Sequence, residues 1–389
     1  MKFSCDKAVL SAAISNVSRA VTTRTALQAL EGILIRAENG TLTLTGYDLE
    51  LGITTVVPAQ VTEEGSIVLG ARLFGEMIRK LEGGEVFVQS DDKQLTEIRG
   101  GGAEFTILGM DAADYPELPG LGDAERLTLP QHALRSMIEQ TQFAISQNDI
   151  KPVHTGSLFD VMPDSVTVVS VDGYRMAVRR ELCQTGLETR FVVPGKTLAE
   201  IAKLLSDEPA AEGEPEKTAS IQVSRQYILT TIGNYSLVSR LLDGEFLDYQ
   251  AAIPQGSSTQ VTVSTRELIA AVDRASLIIS DRLRSPLRLK FEENSLRITC
   301  TTSLGKAYDE VPCHIEGAAL EMGINNKYVL DALRAADCDE VCLQISGPLS
   351  PMKMVPPEGD SFLFLVLPVR LKTEQLTEKR DKGGSRHGA

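Results

Sequence analysis

Lysine and arginine recur seven residues apart in three separate segments of the chain. The pairs are Arg72 and Arg79, Lys196 and Lys203, and Lys327 and Arg334. Seven residues are two helical turns, so both members of a pair lie on one face of a helix. Such cations neutralise phosphates without reading bases, which predicts sequence-independent contact with duplex DNA. For any single pair, the alternative is an ordinary solvated helix face.

Charge is distributed unevenly along this acidic chain. Its 389 residues include 39 Lys and Arg against 53 Asp and Glu, and the net charge of −14 alone argues against a nucleic-acid-binding protein. The predicted helices, however, carry 12 basic residues against 6 acidic ones, so the remaining residues have a net charge of −20. These helices span residues 7–20, 72–81, 131–146, 196–206, 266–279 and 327–336.

Other patterns that could carry chemistry are incomplete. Gly195-Lys196-Thr197 follows a predicted strand and opens a helix, but a P-loop requires glycine where the chain has Arg190. Gly100-Gly101-Gly102 precedes no helix, and we expect a hairpin turn there. Asp48 and Asp172 could form a catalytic carboxylate pair. Each follows a predicted strand, however, and we favour a role in capping a turn.

Histidine and cysteine show no metal-ligand or triad spacing. The four histidines are structural or surface residues in this interpretation, and the six cysteines are free thiols. We therefore expect no enzyme activity, no metal and no cofactor. The residues are His132, His154, His314 and His387, with Cys5, Cys183, Cys300, Cys313, Cys338 and Cys342.

The elements that position the basic pairs repeat three times. Leu34, Leu158 and Leu289 lie 124 and then 131 residues apart, and the basic pairs follow the same two offsets. Segments rich in Pro and Gly separate the copies. We predict domains at 1–122, 123–253 and 254–371, followed by a disordered tail at 372–389.

Each copy has the same order of predicted elements. A short strand leads into an amphipathic helix, and alternating strands then surround a second helix, which carries the basic pair. The predicted fold class is α+β with a mostly antiparallel sheet. Residues 207–217 form an acidic, exposed insertion loop in the second copy.

Composition is typical of a globular protein, with 42% hydrophobic and 24% charged residues. Met1-Lys2-Phe3 leads into polar sequence with no signal-peptide pattern. The longest apolar run, residues 362–367, is too short to cross a bilayer. We therefore expect a cytoplasmic protein without a membrane partner.

Six sequence segments, in order, resemble one known family over residues 1–371. The chain is similar to the bacterial DNA polymerase III beta subunit, the replicative sliding clamp. The segments are Met1-Lys2-Phe3, residues 42–50 (LTLTGYDLE), 111–116 (DAADYP), 171–178 (VDGYRMAV), 242–249 (LDGEFLDY) and 367–371 (LPVRL).

This resemblance implies an architecture and a set of partners. Members of the family are head-to-tail homodimers that form a ring of six clamp domains, with helices lining the interior and antiparallel sheets outside. The ring encircles duplex DNA and tethers the replicative polymerase. A clamp loader opens and closes it with ATP, so ATP chemistry belongs to that partner.

The resemblance also implies three sets of site residues. Arg24 matches a DNA-contacting loop residue and joins the six basic helix positions. The dimer interface pairs the edge strand holding Phe105 and Ile107 with the third-domain helix holding Leu277 and Ile278. A pocket for short apolar peptides of partner proteins matches His154, Val171, Gly173, Tyr174, Arg175, Met176, Leu247, Ala251, Ser350, Leu365, Leu367, Pro368, Val369 and Arg370.

Three features depart from the family pattern. Phe246-Leu247 stands where many members have Phe-Pro, His154 where an apolar residue is common, and the chain continues past Leu371. These differences affect the motif preference of the pocket. The alternative functions are a static duplex-binding scaffold that forms no ring and, far less favoured, a hydrolase acting through Asp48 and Asp172.

Overall fold

The structure is a computed structural model that describes residues 1–23, 25–148, 150–209, 213–279 and 285–371. Three predictions fall at least partly outside these residues: the DNA contact of Arg24, the disordered tail 372–389 that includes His387, and part of the acidic loop 207–217. The described chain forms two compact units. The first comprises Met1–Ile253 with Glu358–Phe364, and the second begins at Pro254.

The first unit contains two copies of the repeat. Strands of the first copy are β1 (Lys2–Asp6), β2 (Gly32–Glu38), β3 (Thr41–Tyr47), β4 (Leu51–Pro58), β5 (Gln60–Glu63), β6 (Gly65–Gly70), β7 (Glu85–Ser90), β8 (Leu95–Gly100) and β9 (Ala103–Leu108). Strands of the second copy are β10 (Glu125–Pro130), β11 (Gly156–Met162), β12 (Ser165–Val171), β13 (Arg175–Leu182), β14 (Thr189–Pro194), β15 (Thr218–Val223), β16 (Tyr227–Ile232) and β17 (Tyr235–Arg240).

One antiparallel sheet joins the two copies. Its strand order is β10-β15-β16-β17-β4-β3-β2-β6, and the joint is the pairing of β17 with β4, where Leu237 lies opposite Ile53. Asn234 reinforces this joint, because its Nδ2 donates to Thr55 Oγ1 at 3.0 Å. The other antiparallel sheets of the unit have the orders β5-β1-β7-β8-β9 and β14-β11-β12-β13.

The helices of the first unit pack as pairs beneath these sheets. They are α1 (Lys7–Val17), α2 (Ala71–Lys80), α3 (Gln131–Glu139), α4 (Gly195–Leu204) and the short α5 (Tyr249–Ala252). α1 packs on α2 and α3 on α4. Their apolar stripes are buried: Leu10, Phe74 and Leu134 are at most 1% exposed. Burying these stripes against the strands forms the core.

The predicted helices 7–20 and 131–146 are too long. In each case a side-chain hydroxyl bonds the carbonyl four residues earlier, and the chain continues as a 3₁₀ turn. The hydrogen bonds are Ser18 Oγ to Ile14 O, 2.6 Å, and Thr141 Oγ1 to Met137 O, 2.8 Å. The apolar spacing continues through both turns, which is why periodicity alone predicts longer helices.

The second unit contains the third copy. Its helices are α6 (Thr265–Ser276) and α7 (Asn326–Ala335), which pack on each other. Its strands are β18 (Thr259–Ser264), β19 (Leu287–Glu292), β20 (Ser295–Thr302), β21 (Gly305–Pro312), β22 (His314–Gly317), β23 (Leu320–Ile324), β24 (Glu340–Ile345) and β25 (Met352–Val355). They form antiparallel sheets in the orders β21-β20-β19-β23 and β25-β24-β18-β22. A last strand, β26 (Phe362–Val366), begins in the first unit.

Leu277 and Ile278 are not on a helix, contrary to the prediction of a helix over 266–279. α6 ends at Ser276, whose hydroxyl donates to Val272 O at 2.6 Å. Ser18 and Thr141 make the same type of hydroxyl-to-carbonyl bond just after the first helices of the other two copies. Leu277 follows directly and is 83% exposed.

The repeat offsets describe the structure closely. α2, α4 and α7 begin at residues 71, 195 and 326 and end at 80, 204 and 335, so both offsets, 124 and 131, hold at each end. The combination of packed helices and antiparallel sheets confirms the predicted α+β fold class. None of the helices in the described part of the chain has the length and apolar content needed to cross a bilayer.

Candidate nucleic-acid interface and peptide pocket

The six basic helix residues lie on exposed faces of α2, α4 and α7. Arg72, Arg79, Lys196, Lys203, Lys327 and Arg334 are all exposed. The opposite faces are buried, with Phe74, Leu198 and Val329 at most 1% exposed. Because the apolar face of each helix is buried in the core, the opposite face exposes the cations to solvent.

The starts of α7 and α4 have different local causes. Asn325 caps α7 through its side-chain oxygen, which accepts from the backbone N–H of Lys327 at 3.0 Å. α4 begins at Gly195, where an added Cβ would meet Thr155 O at 3.1 Å, so the close approach of the neighbouring chain favours glycine there.

Four of the six cations have a carboxylate partner. Lys196 Nζ contacts Asp48, and the other pairs are Lys203–Glu200 at 2.7 Å, Arg72–Glu76 at 3.2 Å and Arg334–Asp273 at 3.0 Å. Among the residues that the structure describes, Arg79 and Lys327 form no ion pair. The basic surface is thus partly neutralised by the chain itself.

Asp48 and Asp172 cap equivalent turns. Asp48 Oδ1 accepts the backbone N–H of Leu51 at 2.7 Å, and Asp172 Oδ1 accepts that of Arg175 at 3.0 Å. The turn-capping interpretation is therefore confirmed. Within the described residues, no group of three or more His, Cys, Asp or Glu side chains could hold a metal ion.

The Gly195-Lys196-Thr197 segment is not arranged to bind a nucleotide. Thr197 is buried, and its hydroxyl lies 2.6 Å from Ser239 Oγ, while Lys196 is engaged by Asp48. The Gly100–Gly102 segment forms the predicted turn between β8 and β9, with Gly101 at φ +58°.

The six cysteines are free thiols, as predicted. Burial raises the pKa of Cys5 and of Cys313 to about 11, so neither is a reactive thiolate near neutral pH. His132 lies 3.6 Å from Glu216, and His314 lies 3.2 Å from Glu316 on exposed strand β22.

One part of the predicted peptide pocket is the turn after β12. Val171 and Met176 anchor it, at 6% and 3% exposure, while Tyr174 projects with 61% of its surface exposed. Arg175 Nε donates to Asp172 Oδ2 at 2.9 Å, and its guanidinium lies 5.4 Å from the Phe143 ring centroid. Gly173, at φ +88°, allows the turn.

A second part of the predicted peptide pocket includes His154, Leu247 and Ala251. The His154 and Phe246 rings meet edge to face with centroids 5.3 Å apart, and Leu247 is 41% exposed. Burial, followed by the charge of Lys151, lowers the pKa of His154. The exposed Ala251 follows on α5.

The buried carboxylate of Asp160 fixes the segment that carries Leu247 and Ala251. Tyr249 donates its hydroxyl to Asp160 Oδ2 at 2.9 Å, and Arg190 binds the same carboxylate through two bonds of 3.0 and 2.8 Å. This network holds apolar side chains at the surface next to a rigid backbone.

The remaining predicted pocket residues are in the second unit. Leu367 and Val369 are 41% and 37% exposed, whereas Leu365 is buried. Val369 N–H donates to Gly323 O at 2.8 Å, which ties this segment to β23. Ser350, Pro368 and Arg370 lie in loops, and the backbone N–H of Ser350 donates to Gly347 O at 3.1 Å.

The first unit also contains a cleft of about 1120 Å³ that was not predicted from the sequence. Its lining includes Leu158, Arg190, Arg225 and Phe246, and of the predicted pocket residues only Leu247. No sequence signal marks it, because its walls come from strands and loops that are distant in the chain.

The predicted dimer residues are at surfaces. Phe105 and Ile107 are half-buried on β9, an edge strand of its sheet, and they pack partly against the core. Leu108 beside them is 72% exposed and is not among the predicted interface residues. An edge strand with apolar side chains is a template for pairing with another chain.

Comparisons with known proteins place all three copies in one family. Family models described as DNA polymerase III beta subunit match residues 1–119 (N-terminal domain), 128–248 (central domain) and 250–370 (C-terminal domain). The chain is 31% identical to the beta sliding clamp of Bacillus subtilis (strain 168), over 95% of the chain and 100% of that protein.

Solved structures agree with this sequence similarity. A putative DNA polymerase III beta subunit from Eubacterium rectale superposes with a TM-score of 0.89 at 32% identity, covering 95% of the chain and 99% of that structure. The Bacillus subtilis sliding clamp superposes with a TM-score of 0.91 at 31% identity, covering 96% and 100%.

Proposed function

The chain belongs to the family of the DNA polymerase III beta subunit and is a DNA sliding clamp, and from this premise we propose how it works. Two copies associate head to tail into a ring of six clamp domains, three from each chain, divided near residues 122 and 253. The ring encloses duplex DNA without reading its sequence. The protein is a processivity factor in the cytoplasm and catalyses no reaction itself.

One observation carries this proposal. An exposed basic pair stands at the same two helical positions in each of three copies of one domain, in a chain whose net charge is −14. Six copies in a ring would repeat that pair around the DNA. Contacts to phosphate alone are independent of sequence and weaken with salt, which suits a protein that moves along DNA.

The partners follow from the same proposal. A clamp loader closes the ring around DNA, and the replicative polymerase and other proteins bind through short apolar peptides. Within the first unit, the turn at 171–176 and the segment around Leu247 have the exposed apolar side chains and polar groups that such peptides need.

The test is retention on circular DNA. The protein is loaded onto nicked circles with a clamp loader and ATP, washed at high salt, and the circles are then linearised. A ring stays on the circle and leaves the linear form. A non-ring scaffold, the alternative that family membership does not favour, would be removed by salt from both.

A matched variant links retention to ring closure. Phe105→Asp places a charge in the proposed edge-strand interface. We expect a chain that still binds DNA weakly at low salt but is not retained on circles. Retention of this variant at the wild-type level would contradict the proposed interface, whereas loss of retention in both proteins would contradict the ring.

A further inference from the structure

The carboxylate of Asp48 is fixed in place and directed at one of the basic helix residues. Its Oδ1 accepts the backbone N–H groups of Glu50 at 3.0 Å and Leu51 at 2.7 Å, and its Oδ2 accepts a hydrogen bond from Lys196. The Asp48 side chain is 7% exposed, whereas that of Lys196 is 53% exposed. The acceptor is therefore rigid and the lysine is the movable partner.

Glu200 has the same relation to the other lysine of α4. Its Oε1 accepts from Lys203 at 2.7 Å, and its side chain is 12% exposed. Its Oε2 is buried and has no hydrogen-bond partner among the described residues, with Arg19 at 3.8 Å. Both cations of α4 thus face a nearly buried carboxylate, while Arg79 and Lys327 face none in the described part of the chain.

We propose that Asp48 and Glu200 compete with DNA phosphates for Lys196 and Lys203, and so weaken the contact between α4 and duplex DNA. This inference rests on the proposed function and adds two residues that set the strength of the DNA contact. A lysine already neutralised by a carboxylate must give up that partner before it binds a phosphate. Contact at α4 is therefore weaker and exchanges more readily than a bare lysine pair would allow.

A purely structural role for Asp48 makes a different prediction. The Asp48–Lys196 pair joins the first copy of the repeat to the second, and it could serve only to hold them together. In that case its loss would lower thermal stability and leave DNA affinity unchanged. The competing role predicts tighter DNA binding instead.

The experiment measures binding of the full-length chain to a fluorescent duplex by anisotropy across a salt series. Asp48→Asn keeps an oxygen that can accept the two backbone N–H groups but removes the charge. We expect about 3- to 10-fold tighter binding near 50 mM salt, and a salt dependence steeper by roughly one released counterion.

Asp91→Asn is the matched control. Asp91 caps a turn in the same way, with Oδ1 accepting the N–H groups of Lys93 and Leu95 at 2.9 Å each, and no cation in the described residues pairs with it. This variant makes the same change in net charge but releases no lysine. Its affinity for DNA should therefore stay at the wild-type value. Glu200→Gln removes the charge of the second carboxylate, which caps no turn. If Asp48→Asn proves unstable, the DNA affinity of Glu200→Gln tests the inference.

A double-variant cycle identifies the lysine as the group that is released. Lys196→Ala should weaken DNA binding more in the Asp48→Asn background than in wild type. Equal effects in both backgrounds, or unchanged affinity in Asp48→Asn and Glu200→Gln while wild type binds normally, would overturn the inference and leave the proposed function intact. If wild type and every variant fail to bind or to load, the proposed function fails as well.

Discussion

Leu49 and Gly173 occupy the same position of the same turn in successive copies of the repeat, with φ angles of +76° and +88°. Each follows an aspartate whose Oδ1 accepts the backbone N–H groups two and three residues later. The turn requires left-handed backbone in both copies, and only the second copy has glycine, which adopts that conformation without strain.

Leu49→Gly should stabilise the protein. A non-glycine residue in this region costs about 1–2 kcal/mol, of which the greater freedom of glycine in the unfolded chain offsets about 0.4–1 kcal/mol. Leu49 is 50% exposed, so little burial is lost. We expect a higher midpoint in thermal unfolding.

Leu73→Gly is the control for that substitution. Leu73 is also 50% exposed but lies within helix α2, where glycine costs about 1 kcal/mol. The midpoint of thermal unfolding should fall in Leu73→Gly. A fall in both variants would contradict the presence of strain at Leu49.

Asp172→Ala should weaken peptide binding. Its carboxylate holds the turn through two backbone N–H groups and also binds Arg175, which lies over Phe143. Losing these bonds loosens the turn that carries Tyr174 and Arg175. We expect roughly tenfold weaker binding of a short apolar peptide from the replicative polymerase, measured by calorimetry.

The repeat supplies the control for this variant as well. Asp48→Ala removes the equivalent turn cap in the first copy, which holds no predicted pocket residue. Peptide affinity should not change. Equal losses in both variants would indicate general destabilisation and not a contribution of Asp172 to the pocket.

Leu277→Asp should convert the proposed dimer into monomers. Leu277 is 83% exposed in the isolated chain, so a charge there disturbs no core packing. In the proposed interface the same charge would be buried without a partner. Light scattering on a sizing column measures the mass, and Leu182→Asp, at a leucine that is 70% exposed outside the proposed interface, should stay dimeric.

Stability should decrease on acidification in a way that depends on His154. Burial, followed by the charge of Lys151, lowers the pKa of His154 below its ordinary value of 6.5. The unfolded chain therefore binds a proton at a higher pH than the folded chain does. Stability is lost as the pH falls through 6.5 towards the lower pKa of the folded state.

His154→Phe keeps a ring against Phe246 and removes the titrating group. The drop in thermal midpoint between about pH 7.5 and pH 5.5 should be smaller in this variant than in wild type. His314→Gln removes an exposed histidine as a control. An identical drop in His154→Phe and wild type would contradict the assignment to His154.

Much of the fold follows from periodicity. Offsets of 124 and 131 residues locate α2, α4 and α7 at both ends, because each copy places the same apolar stripe in the same core. The first helices are predicted less well, because the apolar spacing continues through the 3₁₀ turns that follow them, where Ala20 and Ala144 are buried.

The candidate site also has features that the sequence predicts and features that depend on the tertiary structure. Sequence alone determined that Arg72, Arg79 and their counterparts share one exposed face, because helical geometry makes residues seven apart neighbours. Two of the carboxylate partners are also local, because Arg72–Glu76 and Lys203–Glu200 are four and three residues apart on one helix. Tertiary structure alone decided that Lys196 meets Asp48 and that Arg334 meets Asp273. Asp48 is 148 residues from Lys196 in the chain, and the pairing of β17 with β4 joins the two copies that carry them. Contacts between residues so far apart depend on how sheets join, and no local pattern in the sequence encodes them.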